Sequence, residues 1–97
     1  MAYSNKAHTA TGRRIAKRYK ATYNDGEGID IATDGMVIEV ETTATIEAGV
    51  ERLKEHLGRT YVAVTNKEGI AEAIRLTQGT KVGVMDPRGN IIKDYSG

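Results

Sequence analysis

Cysteine, tryptophan and phenylalanine are absent from this 97-residue chain, and proline occurs once. Without cysteine there is no disulfide framework to staple a small fold. The same absence removes thiolate zinc sites, leaving His8, His56 and carboxylates as metal donors. Without Phe and Trp, the core must be filled by Ile, Val, Leu and Tyr. No apolar run approaches the roughly 20 residues of a membrane span. The opening stretch MAYSNKAHTATGRR lacks the apolar segment of a secretory signal, so a cytoplasmic location is expected, with no membrane partner.

Acidic residues are also missing from one region. Residues 1–20 carry Lys6, Arg13, Arg14, Lys17, Arg18 and Lys20 and no acid, a local charge of +6 within a chain of net +1. The remainder is therefore acidic, with 8 basic and 13 acidic residues. A basic element on an acidic body can meet a polyanion, and each phosphate it neutralises adds to affinity and steepens the salt dependence. The same residues also suit a solvated helix face.

What is present suits one domain, residues 1–97, with a single modest core. Residues 5–20 predict a helix, with Ala7, Ala10 or Thr11, Ile15 and Tyr19 approximating an apolar stripe and Gly12 weakening its first turns. A short extended piece, KATYN, and a turn, NDGEG, follow. GIDIAT and MVIEVET are β-prone runs joined by Asp34-Gly35, a strong hairpin signal because a type I′ turn needs positive φ at both central residues. Ile46, Val50, Leu53 and Leu57 form a helical stripe ended by Gly58. TYVAVT predicts a buried strand. Thr65 and Glu68 fit a capping box for a helix through about Gln78, its apolar face holding Ile70, Ala73, Ile74 and Leu76 or Ala71. KVGVM predicts a buried strand, Asp86 to Gly89 a turn, and NIIKDY an edge strand. Hairpin-linked strands followed by strands alternating with helices imply one mixed α/β sheet flanked by helices.

The hairpin carries the chemistry. If Asp34-Gly35 is a two-residue loop, Ile31 faces Ile38, Ile29 faces Val40 and Asp30 faces Glu39. Strand alternation then puts Ile29, Ile31, Met36, Ile38 and Val40 on a core face and Asp30, Glu39 and Glu41 on the other. Carboxylates directly across a strand pair lie about 5 Å apart at Cβ and repel. An open face lets solvent screen them, and acids on a solvated hairpin face are ordinary. A covered face requires a proton or a cation between them, and a divalent ion held by hard oxygen donors is one solution.

The helix, GEGIDIATDG, MVIEVETT, the next helix and the buried strand together resemble the PD-(D/E)XK nuclease superfamily, and within it small archaeal Holliday junction resolvases and resolvase-like proteins. The resemblance runs from about Thr11 to Thr65. It implies a restriction-endonuclease-like α-β-β-β-α-β core, with KATYN as the first strand and an added C-terminal α-β-β extension. It implies that Asp30, Glu39 and the Val40 carbonyl bind Mg²⁺ or Mn²⁺, and that Asp30, Glu39 and Glu41 are catalytic. The expected function is metal-dependent DNA endonuclease, acting on branched or duplex DNA as a homodimer, with Arg13, Arg14, Lys17 and Arg18 on the DNA backbone. Glu41 stands where the family usually has Lys, and the first helix has Arg13 and Arg14 where resolvases often have Glu. These departures leave open a nuclease-fold module that has lost catalysis and binds DNA or protein. Lys54 on the following helix is a candidate substitute for the Lys.

His8 and His56 read as isolated surface or capping residues, His56 favoured by a helix C-terminus. Tyr19, Tyr23, Tyr61 and Tyr95 read as core aromatics or base-stacking platforms. Thr42, Thr43 and Thr45 suit either a phosphate contact or a helix cap.

Overall fold

A computed structural model describes residues 6–97. Asn5, expected to open the first helix, lies outside them. The order is α1 (Lys6–Arg18), β1 (Ile31–Ala32), β2 (Met36–Glu41), α2 (Ile46–Lys54), β3 (Arg59–Val64), α3 (Gly69–Thr77), β4 (Gly83–Met85) and β5 (Ile91–Lys93). The five strands lie in chain order in one mixed sheet. β1 and β5 run antiparallel to their neighbours, whereas β2, β3 and β4 are mutually parallel. The parallel pairs are those bridged by α2 and α3, because only a crossover can return the chain in the same direction.

The hairpin has the expected register, Ile31 pairing with Ile38 and Ala32 with Val37, but not the expected type I′ turn: neither Asp34 nor Gly35 has positive φ, and the Thr33 hydroxyl accepts the Gly35 N–H instead. In place of the single core expected, two form, because alternation along β2 and β3 sends apolar side chains to both faces of the sheet. On one face Ile38, Val40, Tyr61 and Ala63 meet Ile15 and Ala16 of α1. On the other, Val62 and Val64 meet Ile46, Val50 and Leu53 of α2 and Ala73 of α3. The result is three layers, helix over sheet over a helix pair.

Several local expectations change. The buried stripe of α1 is Thr11, Gly12, Ile15 and Ala16, not one through Ala7. The helix runs through Gly12 without a break. A Cβ there would lie 2.2 Å from the Tyr23 ring, so the missing side chain is what admits the tyrosine. KATYN does not form the expected strand: Lys20 sits in a turn with φ 55, and the segment contributes one isolated antiparallel bridge, Tyr23 to Ile31. β1 is shorter than GIDIAT, and Ile29 is half-buried outside it. α2 ends at Lys54, before Leu57, which is 94% exposed and no part of the core stripe. α3 uses no Thr65–Glu68 box: the Gly69 N–H donates to the Asn66 side chain at 3.2 Å. The turn after β4 forms as expected, with Asp86 accepting from the Arg88 and Asn90 N–H groups. Among the described residues, no helix is long and apolar enough to cross a membrane.

Candidate metal centre

The brevity of β1 is the first clue to the site. Where the β1–β2 ladder would continue, side chains replace backbone partners. The Asp30 carboxylate accepts the Val40 N–H at 2.8 Å, and the Asp30 N–H donates to the Glu39 carboxylate at 3.3 Å. This exchange satisfies the strand's polar groups and draws the two acids together.

Glu41 joins them from two residues along β2, on the same face. That face is not open. α2 crosses it, and Gly49 lets the helix lie directly on Glu41, since a Cβ at Gly49 would come within 2.5 Å of the Glu41 side chain. Covering leaves Asp30 8%, Glu39 4% and Glu41 4% exposed. One carboxylate oxygen from each lies within 4.8 Å of the others. The screening that a solvated hairpin face would provide is therefore largely removed.

The electrostatics reflect the crowding. Burial, opposed by the Thr45 hydroxyl and Arg52 and reinforced by Glu39 and Asp30, raises the Glu41 carboxyl to about 7. Burial and the Glu39 charge also raise Asp30, against the Val40 hydrogen bond and His8. The compensating cation is Arg52 of α2, whose Nη2 donates to Glu39 at 2.9 Å and to Glu41 at 3.0 Å. Its side chain is 57% exposed, so this counter-charge reaches in from solvent rather than being sealed inside.

A histidine of α1 pairs with one of these acids. His8 Nε2 lies 3.3 Å from the Asp30 carboxylate, and its Nδ1 is 2.6 Å from the Tyr23 hydroxyl. The tyrosine that orients the imidazole is the one seated against Gly12. Together these residues form the floor of a cleft of about 930 Å³, walled by residues 24–29 and by Thr45, Ala48, Arg52 and His56. Asn24 shapes the first wall by donating to the Glu27 and Ile29 carbonyls and accepting the Gly26 N–H.

Asp30, Glu39 and Glu41 thus converge as expected. The Val40 carbonyl lies on the β1 edge of β2: the Glu41 carbonyl turns towards β3 to accept the Thr65 N–H, and Val40, whose N–H donates to Asp30, faces the opposite way. Hard oxygen donors at these separations suit a divalent cation. Lys54 does not substitute for a site lysine; it pairs with Glu51 at 2.7 Å. Nor is His8 isolated. None of the basic residues of α1 lines the cleft; Arg18 is ten residues beyond His8, about 15 Å along the helix axis, whereas Arg13 is near enough to Tyr23 to act on its hydroxyl. Arg13 and Lys17 are exposed, whereas Arg14 and Arg18 donate to the Pro87 and Arg88 carbonyls. The signal for Arg52 was present in the spacing of Thr45, Ala48, Arg52 and His56, a second helical face beside the core stripe. His8 had no comparable signal, because its place depends on how α1 docks. Compared with protein-family models, curated proteins and solved structures, the chain matches none.

Proposed function

We propose that the chain is a metal-dependent DNA endonuclease of the resolvase-like PD-(D/E)XK kind. The observation that carries this reading is the buried convergence of Asp30, Glu39 and Glu41 within 4.8 Å on the floor of an open cleft. The strand order and the antiparallel hairpin feeding a parallel crossover support a restriction-endonuclease-like core, with the Tyr23 bridge as the remnant of its first strand. In this reading Asp30, Glu39 and the Val40 carbonyl hold Mg²⁺ or Mn²⁺. Such an ion supplies a polarised phosphodiester and a more acidic bound water. Glu41 would take the proton of the attacking water as its oxygen bonds to phosphorus and the bond to the leaving sugar oxygen breaks, that oxygen taking its proton from solvent water in the cleft. Arg52 turns from the carboxylates to the phosphate, where its guanidinium meets the developing charge. Of the four basic residues of α1, the exposed Arg13 and Lys17 contact the DNA backbone, while Arg14 and Arg18 hold the helix on the Pro87 and Arg88 carbonyls and reach phosphate only by leaving them, and a homodimer presents two clefts to a symmetric branched substrate.

One observation favours a second reading. Arg52 already neutralises Glu39 and Glu41, as a resident cation would in a nuclease-fold module that binds DNA without cutting it. Calorimetry with Mg²⁺ and Mn²⁺, followed by cleavage of branched, single-stranded and duplex DNA, separates the two. The endonuclease reading expects metal binding that Asp30→Asn abolishes and strand cleavage that Glu39→Ala abolishes. DNA binding without cleavage under either metal establishes the second reading, and cleavage that survives Glu39→Ala overturns the assigned site.

A further inference from the structure

We propose that Arg52 is a latch on the metal site: it competes with the divalent ion for Glu39 and Glu41 and is drawn off by a phosphate, so that the ion and a phosphodiester bind cooperatively. The inference rests on the metal reading above and adds to it a means of regulation.

The contacts make Arg52 a rival of the ion. Its Nη2 donates to Glu39 at 2.9 Å and to Glu41 at 3.0 Å, so it engages two of the three carboxylates that converge within 4.8 Å. Each of these two acids is 4% exposed. Buried carboxylates need a counter-charge, and this pair shares one guanidinium. A second cation at the same cluster repels that guanidinium, so each binds more weakly in the presence of the other.

The hold is also easily reversed. One nitrogen serves both acids, so neither receives the two parallel bonds of a guanidinium–carboxylate fork. The other guanidinium nitrogens donate to no group among the described residues, and the side chain is 57% exposed. Arg52 sits in the last turn of α2, and rotation about its long side chain carries the charge outward with no change in the helix.

The cleft supplies the place to which it turns, because its two walls differ in charge. The 24–29 wall carries Asp25 and Glu27, both exposed, and no cation. The α2 wall carries Arg52 and, four residues on, His56, with the Thr45 hydroxyl nearby. An anion is repelled from the first wall and met by donors on the second. A phosphate that takes Arg52 removes the rival of the ion, and an ion that displaces Arg52 favours the phosphate to the same degree.

The test is a calorimetric titration of the whole chain with Mn²⁺ at pH 8, above the Glu41 value of about 7. Wild type, Arg52→Gln and Arg52→Lys are compared, alone and with a short DNA duplex whose phosphorothioate linkages resist cleavage, and circular dichroism confirms the fold. Without DNA, Arg52→Gln should bind Mn²⁺ roughly tenfold more tightly than wild type. The gain in Mn²⁺ affinity on adding DNA should be roughly fivefold smaller in Arg52→Gln than in wild type. Arg52→Lys, which keeps the charge but not the planar guanidinium, should fall between them. Equal or weaker Mn²⁺ binding by folded Arg52→Gln overturns the latch and leaves the carboxylate site standing, as does an equal gain from DNA in wild type and variant. If Arg52→Gln unfolds, an Arg52→Lys variant with wild-type affinity and a wild-type gain counts against the latch. Absence of Mn²⁺ binding by wild type and both variants, with DNA and without, overturns the metal reading and this inference together.

Discussion

Glu41 is the residue on which stability and site chemistry meet. Its carboxyl is raised from the ordinary 4.5 to about 7, chiefly by burial. Between those values the folded chain holds a proton that the unfolded chain has released. Stability then falls as pH rises through this window and levels off above it. The raised Asp30 adds to the same trend. Solvent screening at the cleft mouth moderates the effect to the order of 2 kcal/mol. Denaturant titrations of the metal-free protein from pH 4.5 to 8 should show that decline, and Glu41→Gln should remove most of it. A stability that climbs across the window, or an unaltered slope in the variant, contradicts this account. The approach of α2 to Glu41 was not legible residue by residue. Gly49 reads as a weak helix former, and only its contact shows that a side chain there would displace the acid.

At the scale of elements, local rules succeeded where the deciding contacts are close in sequence. Asp34-Gly35 placed the hairpin register because a two-residue turn leaves only one pairing. They failed where two local options competed. Thr65 and Glu68 have the spacing of a capping box, yet the backbone N–H of Thr65 is drawn to the Glu41 carbonyl, tying that residue to the end of β2. Asn66, one residue on, then meets the Gly69 N–H. Chemical denaturation should find Asn66→Ala destabilising by about 1 kcal/mol, with Thr65→Ala costing less than half of that. Equal losses at the two positions would return the cap to Thr65. Leu57 gives the same lesson at a C-terminus. Its spacing extends the stripe of α2, but the chain must leave the helix to enter β3, and the residue falls outside the core.

At the scale of the whole molecule, charge asymmetry acquires a shape. The basic residues of α1 divide into two kinds. Arg14 and Arg18 donate to carbonyls of the 87–88 segment, with Arg18 also on the Asn90 side chain at 2.6 Å, and so pin the helix to the turn between β4 and β5. Arg13 and Lys17 are exposed, on the same helix and one turn apart. If α1 meets DNA, Arg13→Gln with Lys17→Gln should reduce the slope of log affinity against log salt by about 1–2 and leave folding unchanged. Fluorescence anisotropy across a salt series measures it, and an unchanged slope excludes these two as phosphate contacts.

The amino-acid sequence by itself determined the hairpin, its register, the shared face of Asp30, Glu39 and Glu41, and the alternation of later strands with helices. Each follows from turn chemistry or side-chain period, which act over a few residues. Whether that acidic face lay in water or under a helix was decided only by tertiary structure. So were the arrival of Arg52 and His8 from opposite layers and the division of labour among the basic residues of α1. These depend on how helices far apart in the chain pack on one sheet, and packing of that kind is set by the fit of whole surfaces rather than by the spacing of residues along any one segment.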